Sequence, residues 1–319
     1  MNATSGAMSD AASGPHPSTA LIYIFNAIFI LGFLSLSAIV TVAWLSPSIQ
    51  RSKTWYSFMM SWIMYDVVNL LLLGQQTGGE PSHGLCLAQA SLRYTVPVLT
   101  SFANFAMVLQ LFLSVWFCLP VGNNSSARNS IGIYLLLIIP PGLSLFVFLE
   151  ALVDGIQHPE KVVRSNSGQV CEISDGISMK ISAACVIVAM VSSMLVEICI
   201  AVTVCRHWTA FRNLAKHDRQ SRNWENCEST IRFTFFFLLA LFSCAIGLVL
   251  TFSQTNDCDS LLNARYNIVV GILPVAVAVT FGTQKDILQT FVFCRRRERF
   301  QVDSERVQKD MSPTKVAPA

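Results

Sequence analysis

Asp66 and Glu197 are carboxylates set inside long apolar runs, and Arg93 is a guanidinium seven residues after Cys86 near the head of another. An ionised group in such surroundings is costly unless it is paired or hydrated, so each is a candidate for chemistry. Asp66 has Asn69 one turn further along the same helical face, with Asn104 and Gln110 as candidate partners on the next run. This set could hold a hydrated cation whose occupancy changes with conformational state, and a bound cation would favour the ionised carboxylate. The plainer reading is a protonated acid hydrogen-bonded among helices. Arg93 suits a carboxylate or another anion through paired hydrogen bonds. Its plainer reading is a side chain that snorkels to head groups or pairs with Glu150, Glu172 or Asp175. Glu197 is given no catalytic role. Nothing in the chain points to catalysis. His16, His83, His158, His207 and His217 all fall outside the apolar runs and form no zinc-hydrolase cluster. The last run, Tyr266 to Gly282, lacks the lysine that a retinal Schiff base needs. The chain is therefore expected not to be an enzyme and to need no cofactor or metal.

The elements that must position these residues are seven apolar stretches: Leu21 to Leu45, Tyr56 to Leu73, Leu92 to Leu119, Ile131 to Val153, Ile177 to Val204, Ile231 to Phe252 and Tyr266 to Gly282. Each approaches the ~20 residues that cross ~30 Å of hydrocarbon as a helix. Hydrophobic residues make up 53% of the chain, charged residues only 13%, and mean hydropathy is +0.52, which argues against a water-soluble domain. The expected fold is an all-α membrane protein: a tail over residues 1–20, a seven-transmembrane helix bundle over 21–283, a juxtamembrane amphipathic helix over 284–299 and a disordered tail over 300–319. Ile287, Leu288, Phe291 and Val292 give that short helix its apolar face. Pro97, Pro140, Pro141 and Pro274 lie inside predicted spans, where each removes a backbone donor and invites a kink.

Orientation follows from the basic residues. All but five of the 22 Lys and Arg fall on one set of alternate loops or in the carboxyl-terminal tail; Arg93, Lys161, Arg164, Lys180 and Arg265 are the exceptions. Basic loops stay in the cytosol, so the amino terminus is expected outside and the carboxyl terminus inside. The stretch before Leu21 is polar and lacks a basic start, so the first span is expected to act as the signal anchor. Asn2-Ala3-Thr4 is then a glycan acceptor pattern on the outer face, while the patterns at Asn123 and Asn124 fall in the cytosol and should stay unmodified. Cys86, Cys171 and Cys258 lie outside, where disulfides persist, and three pairings are open to them. The inner segment Arg206 to Arg232 carries six basic against three acidic residues, either a basic cleft for a partner or a solvated loop obeying the charge bias. Cys294 beside Arg295, Arg296 and Arg297 is a candidate for lipidation in contact with membrane lipid, with a free thiol as the plainer alternative.

The layout resembles that of a G-protein-coupled receptor: seven spans, a cysteine heading span three, a second in the following outer loop and a basic third inner loop. The internal motifs depart from the rhodopsin-like pattern. Gln110-Leu111-Phe112 stands where an acidic-Arg-aromatic triplet is usual, and span six has neither Trp nor Pro. Only Asp66 and Pro274 carry over, which makes the chain look more like the divergent seven-helix receptor-like proteins of fungi. That resemblance implies a Cys86 to Cys171 disulfide drawing the outer loop across the bundle, with Arg93, Tyr94 and Tyr266 facing a ligand beneath it. Asn263, Arg265 and Asn267 would border the same space, although such residues also serve as interfacial anchors. It implies Pro274 as a helix hinge, a plasma-membrane location, an extracellular small-molecule or peptide ligand and a heterotrimeric G protein as partners, and no nucleic acid. A seven-span transporter using Asp66 and Glu197 is the alternative, although no internal repeat supports it.

Overall fold

The computed structural model describes residues 19–46, 51–117, 126–165, 167–174, 176–206, 260–284 and 287. Within them the chain is mostly helical. Six α-helices follow in order: α1 (Thr19–Leu45), α2 (Lys53–Leu70), α3 (His83–Phe117), α4 (Ser126–Gln157), α5 (Ile177–Arg206) and α6 (Ser260–Gly282). Between α4 and α5 a single 3₁₀ turn, Pro159–Lys161, leads into a two-stranded antiparallel hairpin of β1 (Val162–Arg164) and β2 (Cys171–Ile173). Its register sets Val162 against Ile173 and Arg164 against Cys171.

Five of these helices, α1, α3, α4, α5 and α6, are long and apolar enough to cross a membrane. The predicted second span is a helix, but α2 is not among the five. Its 18 residues are diluted by Lys53, Ser57, Ser61, Asp66 and Asn69. The predicted sixth span lies outside the described residues, as do nearly all of the basic inner segment, Cys258 and Cys294. Of the expected amphipathic helix, Gln284 and Ile287 are described, and Ile287 is fully buried in the core.

Side-chain placement fits an apolar solvent around the bundle. Phe146 is 66% exposed, and Ile138, Val188 and Leu195 also face outward. Such a display is tolerated where lipid replaces water. Tyr23 and Trp44, near opposite ends of α1, are 71% and 80% exposed. At ~1.5 Å per residue they stand roughly 31 Å apart, the spacing of two interfacial aromatic belts. Near the Trp44 end, Lys53 Nζ lies 5.4 Å from the centroid of the Tyr134 ring, and Arg51 lies over Trp55. Ser52 caps α2 there, its hydroxyl accepting from the Trp55 amide at 3.2 Å.

Packing inside lipid depends on close approach rather than on expelling water. α1 packs against α2 and α6, while α3 touches α2, α4, α5 and both strands. Glycines permit the tightest of these contacts. A Cβ on Gly271 would lie 3.0 Å from Phe29 Cε2, one on Gly282 would lie 2.9 Å from Ile39 Cδ1, and one on Gly155 would collide with Leu87. Two apolar clusters result. The larger runs through Phe25, Phe29, Leu36, Phe58, Trp62, Val277 and Phe281; the smaller gathers Leu72, Cys86, Tyr94, Val147, Val162, Cys171 and Ile173 around the hairpin. Val170 beside β2 belongs to the larger cluster, so the hairpin bridges the two.

Candidate functional site

One helical stripe on α3 holds the hairpin. Cys86, Gln89, Ala90 and Tyr94 recur at spacings of three or four residues and are all buried. A disulfide joins Cys86 to Cys171 of β2, with Cα atoms 5.4 Å apart, as expected for one of the three outer pairings. The free edge of β2 leaves two amides that need acceptors. Cys171 N donates to Gln89 Oε1 at 2.9 Å, and Ile173 N donates to the Tyr94 hydroxyl at 3.1 Å. Gln89 Nε2 donates in turn to the Val68 carbonyl at 3.2 Å, tying α2 to the same point. Tyr94, expected to face a ligand, is therefore committed to the hairpin, and its own carbonyl accepts from Ser182 of α5 at 2.7 Å.

The hairpin tip continues inward. Gly168, at φ +73°, supplies a turn conformation that disfavours a side chain, and its amide donates to the Ser165 carbonyl at 2.8 Å. This turn leaves Gln169 fully buried. Its side chain accepts from Asn267 Nδ2 of α6 at 2.9 Å and donates to the Leu21 carbonyl of α1 at 3.4 Å. Its backbone carbonyl accepts from Gln76 Nε2 at 3.1 Å, and Gln76 Oε1 accepts from Asn26 Nδ2 of α1 at 2.6 Å. Arg93 joins the far end: Nη2 donates to Asn267 Oδ1 at 2.9 Å, while Nη1 is buried without a hydrogen-bond partner among the described residues. A continuous polar seam thus runs from α3 through α6 and the hairpin to the α2–α3 loop and α1. Nearer the surface, Arg164 reaches the carbonyls of Gln75, Gly78 and Gly79 at 3.3–3.5 Å.

Deeper in the bundle the arrangement is different. Asp66 is fully buried, and neither carboxylate oxygen has a hydrogen-bond partner among the described residues. It lies against α1 and α6: a Cβ on Gly32 would stand 3.0 Å from Asp66 Oδ2 and 3.0 Å from Pro274 Cβ. Pro274 cannot donate to the carbonyl one turn before it, so backbone acceptors there are also underused. Asn69 donates to its own helix, at the Tyr65 carbonyl (2.9 Å), and Asn104 Oδ1 is buried without a partner among the described residues. No hydrogen bond links the expected trio of Asp66, Asn69 and Asn104. Gln110, the other expected partner, hydrogen-bonds Thr54 at the start of α2 instead. Tyr65 sits within electrostatic range of Asp66, Arg93 and Tyr266, so the seam and the buried acid share a neighbourhood. Tyr266 is half-buried on α6 beside Asn267.

Two further carboxylates lie near the hairpin end. Glu150 accepts from the Ser178 hydroxyl at 3.2 Å rather than pairing with Arg93, and Asp154 stands one turn further along α4. Glu197 is half-buried on α5, with Oε1 lacking a partner among the described residues. No group of three or more His, Cys, Asp and Glu side chains that could hold a metal ion occurs among the described residues. Arg93 and Asp66 are thus where sequence reasoning looked, but Gln169, Gln76, Gln89 and Asn26 were missed. Asn26 inside an apolar run and Gln89 one turn after Cys86 were the available signals, because a buried amide in a membrane helix needs a partner.

Neither protein-family models nor curated proteins give any match to the chain.

Proposed function

We propose that this chain is a seven-helix receptor-like protein of the plasma membrane, with its amino terminus outside. It binds an extracellular small-molecule or peptide ligand beside Arg93 and couples to a cytosolic heterotrimeric G protein. The observation that carries this reading is the Arg93 guanidinium held beneath a disulfide-anchored hairpin, one nitrogen on Asn267 and the other buried without a partner among the described residues. The five apolar helices and the one-sided distribution of basic residues support it. The reading is non-catalytic: the ligand shifts populations between two packings of the bundle, with Asp66 and Pro274 close enough in the core to respond. Ligand-dependent nucleotide exchange on purified G protein tests it. Arg93→Ala is expected to weaken an anionic agonist about tenfold to a hundredfold, the loss of a charge-assisted hydrogen bond, with unchanged surface expression. Unchanged potency removes Arg93 from the site.

A transporter is the second reading, favoured by the fully buried carboxylate of Asp66 and its lack of partners among the described residues. Uptake into proteoliposomes that is lost in Asp66→Asn, without any nucleotide exchange, would select it.

A further inference from the structure

The outward face of α2 begins with a cation and continues as an apolar track. Lys53 is exposed at the start of the helix, and the residues of α2 exposed after it are Met60, Met64 and Val67. Their spacings of seven, four and three put all four on one helical face. The head of this stripe is held in place. Lys53 Nζ lies 5.4 Å from the centroid of the Tyr134 ring on α4, and Arg51 lies 5.7 Å over the Trp55 ring. Contact with a ring restrains a long basic side chain that would otherwise snorkel freely, so less freedom is lost when an anion binds. No acidic residue falls in the first turn of α2 to compete for these cations. The track behind them is adaptable, because methionine is unbranched and fits irregular apolar partners. At ~1.5 Å per residue, Met64 stands roughly 16 Å from Lys53, which is about the depth of one leaflet, half of a ~30 Å hydrocarbon core.

We propose that this face seats one anionic phospholipid, its phosphate on Lys53 and Arg51 and an acyl chain along Met60 and Met64. Cation and track belong to a single helical stripe, which suits a headgroup tethered to a chain better than a free phosphate. Arg51 has five N–H donors and can serve a lipid and a protein partner together. Because Lys53 of α2 reaches Tyr134 of α4, the headgroup sits where two helices meet. In the proposed orientation this end of α2 faces the cytosolic leaflet, which carries the anionic lipid. The seat depends on neither Arg93 nor a G protein.

Phosphatidylserine titrated into the detergent-solubilised full chain, with bound lipids counted by native mass spectrometry, tests the seat. One phosphatidylserine is expected to be retained under conditions that strip phosphatidylcholine. Lys53→Gln is expected to weaken that binding about fivefold, the contribution of one basic residue near a charged lipid, and Lys53→Arg to restore it. Lys180→Gln, at an exposed position near the start of α5, is expected to change nothing. Glycerophosphoserine, the same headgroup without acyl chains, is expected not to displace the lipid. Equal retention of the two lipids, or equal losses in Lys53→Gln and Lys180→Gln, overturns the seat in favour of general charge attraction. Displacement by glycerophosphoserine overturns the lipid assignment and leaves a phosphate site. Should Lys53→Gln not fold, Tyr134→Leu keeps the charge and removes the ring that holds it. Binding about twofold to fivefold weaker is expected there, and unchanged binding overturns the proposal. No measurement here involves an extracellular ligand, nucleotide exchange or transport, so the seat and the receptor reading fail separately.

Discussion

The two polar regions of the bundle are wired in opposite ways. At the hairpin end almost every buried amide and hydroxyl has a partner, in a seam that spans segments up to 174 residues apart in the chain. Around Asp66, by contrast, both carboxylate oxygens and Asn104 Oδ1 are buried without hydrogen-bond partners among the described residues. A fully satisfied buried network specifies one geometry, whereas an unpaired buried polar group is costly. The hairpin end is thus held by many specific partners, whereas the core around Asp66, Gly32 and Pro274 is held by close packing.

The sharpest break in that contrast is expected from the covalent tie. Cys86→Ser opens a loop closed across 85 residues, and the chain-entropy estimate puts the loss at up to about 4.5 kcal/mol. A steep fall in Tm of the detergent-solubilised protein would report it, and an unchanged Tm would mean that the α3 hydrogen bonds hold the hairpin unaided. Next in size is Gln89→Ala. It leaves the Cys171 amide buried without an acceptor, for a loss of about 2 kcal/mol. Replacement by Glu, the acid analogue of Gln, should restore part of it, because a buried, protonated carboxyl can still accept from Cys171 and donate to Val68. The smallest effect, and of opposite sign, is expected at the other region. Asp66→Asn replaces an unpartnered acid by a neutral isostere and should leave Tm unchanged or raise it by the equivalent of about 1 kcal/mol. A large destabilisation there would show that Asp66 has partners and would erase the distinction between the regions.

Much of the scaffold was legible in the residues. Uninterrupted apolar length marked α1, α4 and α5, and the recurrence of Cys86 and Arg93 on one stripe of α3 follows from helical periodicity. The disulfide came through likeness to a known layout, since three outer cysteines leave the pairing open by themselves. What escaped was the seam. Asn26 and Gln76 are 50 residues apart, Gln169 and Asn267 are 98 apart, and no local pattern announces which amides meet when helices assemble. Tyr94 is another instance: the edge of β2 needs an acceptor and Tyr94 supplies it, a pairing across 79 residues. Nor does the sequence announce that Asn69 donates within its own helix, to the Tyr65 carbonyl, rather than to Asp66.

The aromatic rings of Tyr23 and Trp44 act as a ruler fixed to α1. With roughly 31 Å between them, this helix can stand nearly upright only in a bilayer of matching thickness, and a thinner one forces it to lean. Because Gly32 of α1 lies directly against Asp66 and Pro274, a lean of α1 relative to its neighbours would be felt at the buried acid.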